Sequence, residues 1–347
     1  MLKGKLCDQP FWRMEIHVGG SVYHCCPGWL PISVGNIRMQ SLQEIFASVP
    51  SQRIRDSILS GDYSYCERKL CPFLGQYLVT GQLVTPLNEG TEEELPNSYH
   101  HKKKIALSLC YDSSCNMHCP SCRNELKFFT ESNIPPDILE VHQQALKNIK
   151  ELLADGYRVY LNVTGSGDPF ASPLYYKMLR ELPAHPNLSL EIQTNGVLMD
   201  EAHFTENMRA NTHFISVSVD AATKATYDRV RYGGDFDRLK RNLDWLNGAV
   251  NSGRFPKLKF FNINYIVQKE NYAELSDFCR WILSYSAVTE IWFSAIADWG
   301  HLGSKAFAER AVWRKEHSEH EKFISHVRDP FLRSDKRITL GNLSEYL

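Results

Sequence analysis

The stretch Ile105-Ala106-Leu107-Ser108-Leu109-Cys110-Tyr111-Asp112-Ser113-Ser114-Cys115-Asn116-Met117-His118-Cys119-Pro120-Ser121-Cys122 decides how the chain is read. Ile105–Cys110 has the composition of a strand, and the loop after it carries Cys-x3-Cys-x2-Cys spacing at Cys115, Cys119 and Cys122. Three thiolates this close suit an iron–sulfur cluster, whose four-iron form takes four ligands. Three protein ligands leave one iron free to bind a substrate or cofactor. A structural zinc site would close with a fourth Cys or His, and His118 is the near candidate. Ligand sites in parallel α/β sheets lie beyond the C-terminal ends of the strands, which is where this loop sits.

Downstream, strand-like segments 157–163, 188–193, 214–219, 258–267 and 290–296 alternate with helical patterns near 137–154, 172–182, 200–209, 223–249 and 272–285. A further helical pattern follows Ser304. With the first strand this makes a strand–helix series that predicts an α/β fold: a parallel sheet with helices outside, open or curled into a partial barrel. In the fourth strand, alternation places Ser216, Ser218 and Asp220 on one face, opposite Val217 and Val219. Hydroxyls turned inward need partners, which a polar barrel lumen supplies.

Upstream, residues 1–80 read as a small separate module. Glu15–Val18 and Val22–His24 suggest two strands around Gly19-Gly20, and Ser41 to Phe46 suggests a capped helix. A second short helix is expected over Arg53–Leu59, ended by Gly61, and Trp12 and Trp29 read as module core. Residues 81–104, with Glu92-Glu93-Glu94 and Lys102-Lys103-Lys104, read as a solvated linker. The barrel is expected over 105–300 and a helical segment over 301–347, where His317 and His320 read as surface residues.

Lys and Arg number 39 against 40 Asp and Glu, a net charge of −1 that removes the electrostatic case for a nucleic-acid binder. No apolar run approaches bilayer length, and Met1-Leu2-Lys3-Gly4-Lys5 lacks the apolar core of a signal peptide, so a cytoplasmic chain is expected, with no membrane partner. Ten cysteines in a reducing compartment then read as metal ligands before disulfides.

The Cys115–Cys119–Cys122 loop after a first strand resembles the hallmark of the radical S-adenosylmethionine (radical SAM) enzymes, over roughly residues 105–300. That resemblance implies a partial (βα)6 TIM-like barrel and a four-iron cluster that binds S-adenosylmethionine. Ser121 stands where many members have an aromatic residue. Thr164-Gly165-Ser166-Gly167-Asp168-Pro169 resembles the family's Gly-Gly-Glu-Pro turn, which implies cofactor contacts at Ser166, Gly167 and Asp168. Gln193-Thr194-Asn195-Gly196 is similar to a strand end of the family and nominates Asn195. Tyr227-Asp228-Arg229-Val230-Arg231-Tyr232-Gly233-Gly234 looks like the segment whose second arginine grips the methionine carboxylate, here Arg231. Ser216, Ser218 and Gln268 complete the cofactor candidates.

Gly20-Ser21-Val22-Tyr23-His24-Cys25-Cys26, Val34-Gly35-Asn36-Ile37, Arg55, Cys66 and Cys71 resemble a SPASM or "twitch" module, here placed before the barrel. The resemblance implies one auxiliary four-iron cluster on Cys7, Cys25, Cys66 and Cys71, with Cys26 as the alternate to Cys25 and a four-cysteine zinc site as the competing reading. Cys110 and Cys279 are then spare; Cys279 reads as packing, with hydrogen-atom donor as the alternative.

The implied function is reductive cleavage of S-adenosylmethionine to a 5′-deoxyadenosyl radical that takes hydrogen from substrate, in the modification of a peptide or protein. Dehydrogenation or epimerisation of a carbohydrate or other small polar metabolite is the alternative. A non-catalytic iron–sulfur carrier is disfavoured, since it needs no open iron. A flavodoxin- or ferredoxin-type protein is the expected electron donor.

Overall fold

The computed structural model describes residues 7–68, 71, 74, 103–163, 167–298, 300 and 302–347. Of the expected linker over 81–104, residues 81–102 lie outside the described residues, as does Ser166, and Lys104 already belongs to the first barrel strand. The chain divides into two compact units, the first made of Met1–Asp112, Glu131–Ser166 and Pro186–Ser189, the second of the remainder.

The first unit is built on strands in the order β5-β4-β1-β2-β3. They are β1 (Arg13–His17), β2 (Ser21–Tyr23), β3 (Gly35–Asn36), β4 (Lys104–Cys110) and β5 (Arg158–Asn162). β1 and β2 form the expected hairpin, turned by Gly19 and Gly20, which both have left-handed φ. Helix α1 (Leu42–Phe46) carries a full capping box, Ser41 accepting from the Glu44 amide and Glu44 from the Ser41 amide. Helix α2 spans Val49–Leu59, starting earlier than expected because Ser48 caps it and Pro50 fills its first turn.

One pairing departs from the expected separate module. β1 runs parallel to β4, His17 beside Cys110 and Glu15 beside Ser108, so the first barrel strand clusters with the N-terminal residues. The reason is edge chemistry: a short hairpin alone leaves a row of unpaired amides, which β4 satisfies. Met14, Ile16, Leu107, Leu109, Val159 and Leu161 form the buried apolar face of this sheet. Helix α3 (Pro136–Ala154) packs on β5 and buries Ile138, Val141, Ala145, Ile149 and Leu152, the spacing of one helical face.

The second unit has strands in the order β10-β9-β8-β7-β6: β6 (Leu188–Thr194, whose first two residues belong to the first unit), β7 (Thr212–Ser218), β8 (Phe260–Val267), β9 (Glu290–Ala295) and β10 (Ile338–Thr339). Among the described residues, its strands pair in parallel. Helices α4 (Pro173–Glu181), α5 (Glu206–Asn211), α6 (Lys224–Val230), α7 (Phe236–Asn251) and α8 (Leu275–Ile282) lie between the strands in sequence, so β4 to β9 give the expected six-strand succession.

Three boundaries differ from expectation. The pattern over 223–249 is two helices, because Gly233 adopts a left-handed φ and Asp235 then caps α7 by accepting from the Arg238 amide. α5 is shorter than 200–209, since Thr205 caps it only at Glu206. The C-terminal segment holds α9 (Gly303–Arg310) and α10 (His320–Val327) but also β10, a two-residue edge strand too short to show periodicity.

Candidate metal centres

The Cys115–Cys122 loop is held by backbone before any cluster is considered. The Cys115 amide donates to the Lys127 carbonyl, the His118 amide to the Tyr232 carbonyl, and the Phe129 amide to Ser114 Oγ. Cys115 and Cys119 are buried and Cys122 is exposed. Each sulfur has a side-chain N–H group 3.8 Å away: Asn195 Nδ2 at Cys115, Arg231 Nη1 at Cys119 and Arg123 Nη2 at Cys122; the Met117 amide also donates to Cys115. Donors aimed at sulfur favour thiolate over thiol. Burial opposes them, pushing the Cys115 thiol up to about 11, with Asp168 adding to the rise. It also raises Cys119, where Arg231 pulls the other way.

The turn after β5 lies against this loop. A Cβ on Gly167 would stand 2.3 Å from the Ser114 carbonyl oxygen, so only glycine permits the approach. Asp168 follows and is fully engaged: its amide donates to the Ser114 carbonyl, and its carboxylate accepts from the Asn195 amide (2.7 Å), Thr194 Oγ1 (2.8 Å) and the Phe170 amide (3.0 Å). Burial raises its pKa, and these bonds resist the rise. Asp168 thus ties the cysteine loop to the end of β6. Asn195 is also committed, with Nδ2 on Asn116 Oδ1 at 2.8 Å as well as near Cys115.

Arg231 caps α6 and reaches two partners. Nη2 pairs with Asp220 Oδ2 at 2.7 Å, while Nη1 faces Cys119. Burial alone would lower the guanidinium pKa; Asp220 and Cys119 more than offset that and raise it. Asp220 reaches the pair through a left-handed φ of 62°, and its Oδ1 accepts from the Ile266 amide. Arg231 Nε and Tyr227 Oη are buried without a hydrogen-bond partner among the described residues. Arg229, the other arginine of the segment, donates to Thr226 Oγ1 instead.

The alternation expected in β7 extends across its neighbours. Ser216 and Ser218 pair in register with Asn262 and Asn264 of β8, and Asn264 Nδ2 donates to Ser216 Oγ at 2.6 Å. Gln193 of β6 stands beside Ser216, and Glu290 and Trp292 of β9 stand beside Asn262 and Asn264. The opposite face is apolar, with Ile215, Val217, Phe261 and Ile263 buried. Sequence reasoning missed Asn262 and Asn264, although they repeat the period of two that singled out the serines. Arg123 had no sequence signal. Gln268 is buried; its Oε1 accepts from Arg310, while Nε2 has no partner among the described residues. Cys279 is buried in α8, its thiol pushed up to about 12 by burial, a placement that suits packing.

In the first unit, Cys7, Cys25, Cys66 and Cys71 act on one another. Burial first, then Cys71 and Cys66, push the Cys7 thiol up to about 12. Burial and then Cys71 push Cys66 up to about 11, and Cys25 is raised by burial and then Cys7. The Cys7 amide donates to Tyr63 Oη at 2.9 Å and the Cys66 amide to the Tyr63 carbonyl, so Tyr63 links two of the four. Cys26 faces Glu15 and Arg13 instead of the other module cysteines. The helix behind them is fixed by His24, whose Nδ1 donates to the Arg13 carbonyl and whose Nε2 lies 2.6 Å from Ser51 Oγ.

The donor sets discriminate between cluster and single ion. Tetrahedral zinc holds its ligand atoms about 4 Å apart given bonds of ~2.3 Å to sulfur. Donors already within 4.8 Å of one another therefore need only small side-chain adjustments to close on an ion. Among the described residues, the one group of three or more donors within 4.8 Å of each other is Glu15, His17 and Cys110. Neither cysteine set meets that spacing, as expected of thiolates meant for the corners of a larger iron–sulfur core.

Residues 113–282 match the family model of the radical SAM superfamily, and residues 7–72 match that of the SPASM iron–sulfur cluster-binding domain. The mycofactocin maturase MftC of Mycobacterium tuberculosis is 25% identical over 187 residues, 54% of this chain and 44% of that protein. The AdoMet-dependent heme synthase of Methanosarcina barkeri is 27% identical over 165 residues, 47% of this chain and 43% of that protein. The matches thus span less than half the length of these relatives. The methyltransferase TsrM of Kitasatospora setae overlays with a TM-score of 0.35 at 14% identity, over 59% of this chain and 38% of that one. The chain carries a radical SAM domain preceded by a SPASM domain.

Proposed function

We propose that this radical SAM chain reductively cleaves S-adenosylmethionine and takes hydrogen from a peptide or protein substrate in the course of its modification. The observation that carries this reading is the set of three loop sulfurs, each faced by its own N–H donor and together spaced too widely for a single ion. Cys115, Cys119 and Cys122 would hold the site-differentiated cluster, and Cys7, Cys25, Cys66 and Cys71 an auxiliary one. When bound, the first cluster supplies the electron that splits the cofactor into methionine and a 5′-deoxyadenosyl radical.

The chain's own residues bind and orient. Gly167 permits its own backbone to approach the cluster loop, where backbone carbonyls would receive the cofactor's ammonium. Arg231 keeps Nε open for a carboxylate while Asp220 fixes its plane. Ser216, Ser218, Asn262 and Asn264 offer a hydroxyl-binding face, and Gln268 an Nε2 without a partner among the described residues. A flavodoxin- or ferredoxin-type donor would deliver the electron, in the cytoplasm; no helix among the described residues is long and apolar enough to cross a membrane.

The SPASM match and the maturase among the relatives support a peptide or protein substrate. The heme synthase among the relatives favours a second reading, a small metabolite. The test is anaerobic reconstitution, reduction and quantification of 5′-deoxyadenosine. Turnover is expected in the intact protein and not in the Cys115→Ala/Cys119→Ala/Cys122→Ala variant; equal turnover in both would overturn the assignment. Stimulation by candidate peptides against candidate metabolites separates the two substrate readings.

A further inference from the structure

Glu15, His17 and Cys110 belong to neither cysteine set, yet their donor atoms lie within 4.8 Å of one another. The parallel register explains why: His17 stands beside Cys110 and Glu15 beside Ser108, so β1 and β4 present them on one face. The Glu15 carboxylate is divided between two partners. Oε1 pairs with Arg13 Nη2 at 3.1 Å, and Oε2 lies 3.3 Å from His17 Nε2. Arg13 therefore orients the carboxylate and leaves its second oxygen directed at the imidazole. Neutralisation by a nearby cation and orientation from behind are what outer groups do for metal-ligating carboxylates.

We propose that Glu15, His17 and Cys110 hold a single divalent cation of the zinc class, distinct from both iron–sulfur centres. One carboxylate oxygen, one imidazole nitrogen and one thiolate are a mixed donor set that suits a borderline-soft ion and excludes magnesium or calcium. An ordinary ion-pair cluster accounts for Arg13, Glu15 and His17 but gives Cys110 no role. The thiol at the end of β4 is turned toward a carboxylate, where its ionisation is opposed by burial first and by Glu15 second. A cation relieves that repulsion, releasing one proton from the thiol as the sulfur–metal bond forms. Cys26 acts electrostatically on Cys110 but stands outside the group of donors within 4.8 Å, so water would complete the ion's coordination. The ion would pin the hairpin to the strand that leads directly into the cysteine loop.

The experiment is metal analysis of the reconstituted holoprotein after exposure to zinc chloride and desalting. About one zinc per chain is expected beside the iron of two clusters. His17→Ala and Cys110→Ser should each lower the zinc roughly tenfold while leaving iron unchanged, the iron reporting that the fold survives. X-ray absorption at the zinc edge of the unmutated protein needs no variant, and mixed sulfur and nitrogen or oxygen ligation is the expected result. Absence of zinc, zinc retained in both variants, or ligation by sulfur alone would overturn the proposal.

Discussion

Arg231 and Asp220 form an ion pair of 2.7 Å with only 12% and 2% of their side chains exposed, and the same guanidinium lies 3.8 Å from Cys119 Sγ. A buried pair contributes little net stability, because desolvation offsets the attraction, but losing one member strands the other. Arg231→Ala is expected to cost about 3–5 kcal/mol, read as a lower Tm of the reconstituted protein. Arg231→Met combined with Asp220→Asn should recover most of that loss while cofactor binding stays impaired. Recovery of both would mean that Arg231 serves the fold alone.

Asn195 offers a cleaner probe of the cluster, since its N–H toward Cys115 is neutral. Removing it in Asn195→Ala withdraws about 1 kcal/mol from the reduced, more negative state, which for one electron is on the order of 40 mV. The potential of the S-adenosylmethionine-binding cluster should shift negative by that amount. Arg123→Ala, at the exposed Cys122, should shift it less, because solvent screens the charge. Redox titration followed by electron paramagnetic resonance decides the order.

Gly167→Ala is expected to lower iron content and cofactor binding together. The added carbon would sit 2.3 Å from a backbone oxygen of the cysteine loop, and neither backbone can yield without moving Asp168. Overpacking of this kind costs about 1–3 kcal/mol. Gly248→Ala, in open space on α7, is the control and should leave iron unchanged.

These positions show how far the sequence could be read. The strand–helix series was legible because apolar periodicity is local, and the cysteine loop because thiolate spacing is unusual. The duties of Asp168 and Asp220 were not legible. A carboxylate beside a glycine turn reads the same whether it faces a ligand or accepts three bonds from its own chain. Only the approach of β6 to that turn shows Asp168 committed to Thr194 and Asn195. The β1–β4 pairing was hidden for the same reason: a register between residues 13–17 and 106–110 leaves no mark in either segment.

His24 makes stability depend on pH. Burial holds its pKa down to about 4 from 6.5, with the Arg13 carbonyl opposing and Arg55 adding to the drop. Below pH 6.5 the unfolded chain takes a proton that the folded chain refuses, so stability is full above that value and is lost as pH falls toward 4. The complete loss is roughly 3 kcal/mol, of which about 1.4 kcal/mol falls between pH 7.5 and 5.5. Urea unfolding across that window should show the slope, and His24→Gln should flatten it.

Adjacent cysteines give the last prediction its resolving power. Cys25 is buried and is acted on by Cys7 and Cys66 as well as by Arg13 and Glu15, whereas Cys26 is half-buried and is acted on by Glu15 and Arg13 without either cysteine. The two thiols sit in the bend after β2 with different neighbours, so they cannot exchange places without turning the backbone. Turning it would break the bonds from the Trp29 and Leu30 amides to the Cys26 carbonyl. Cys25→Ala should therefore reduce iron from about eight per chain to about four, while Cys26→Ala keeps about eight. Loss of iron in Cys26→Ala with retention in Cys25→Ala would reverse the ligand assignment and leave the loop at Cys115, Cys119 and Cys122 unaffected.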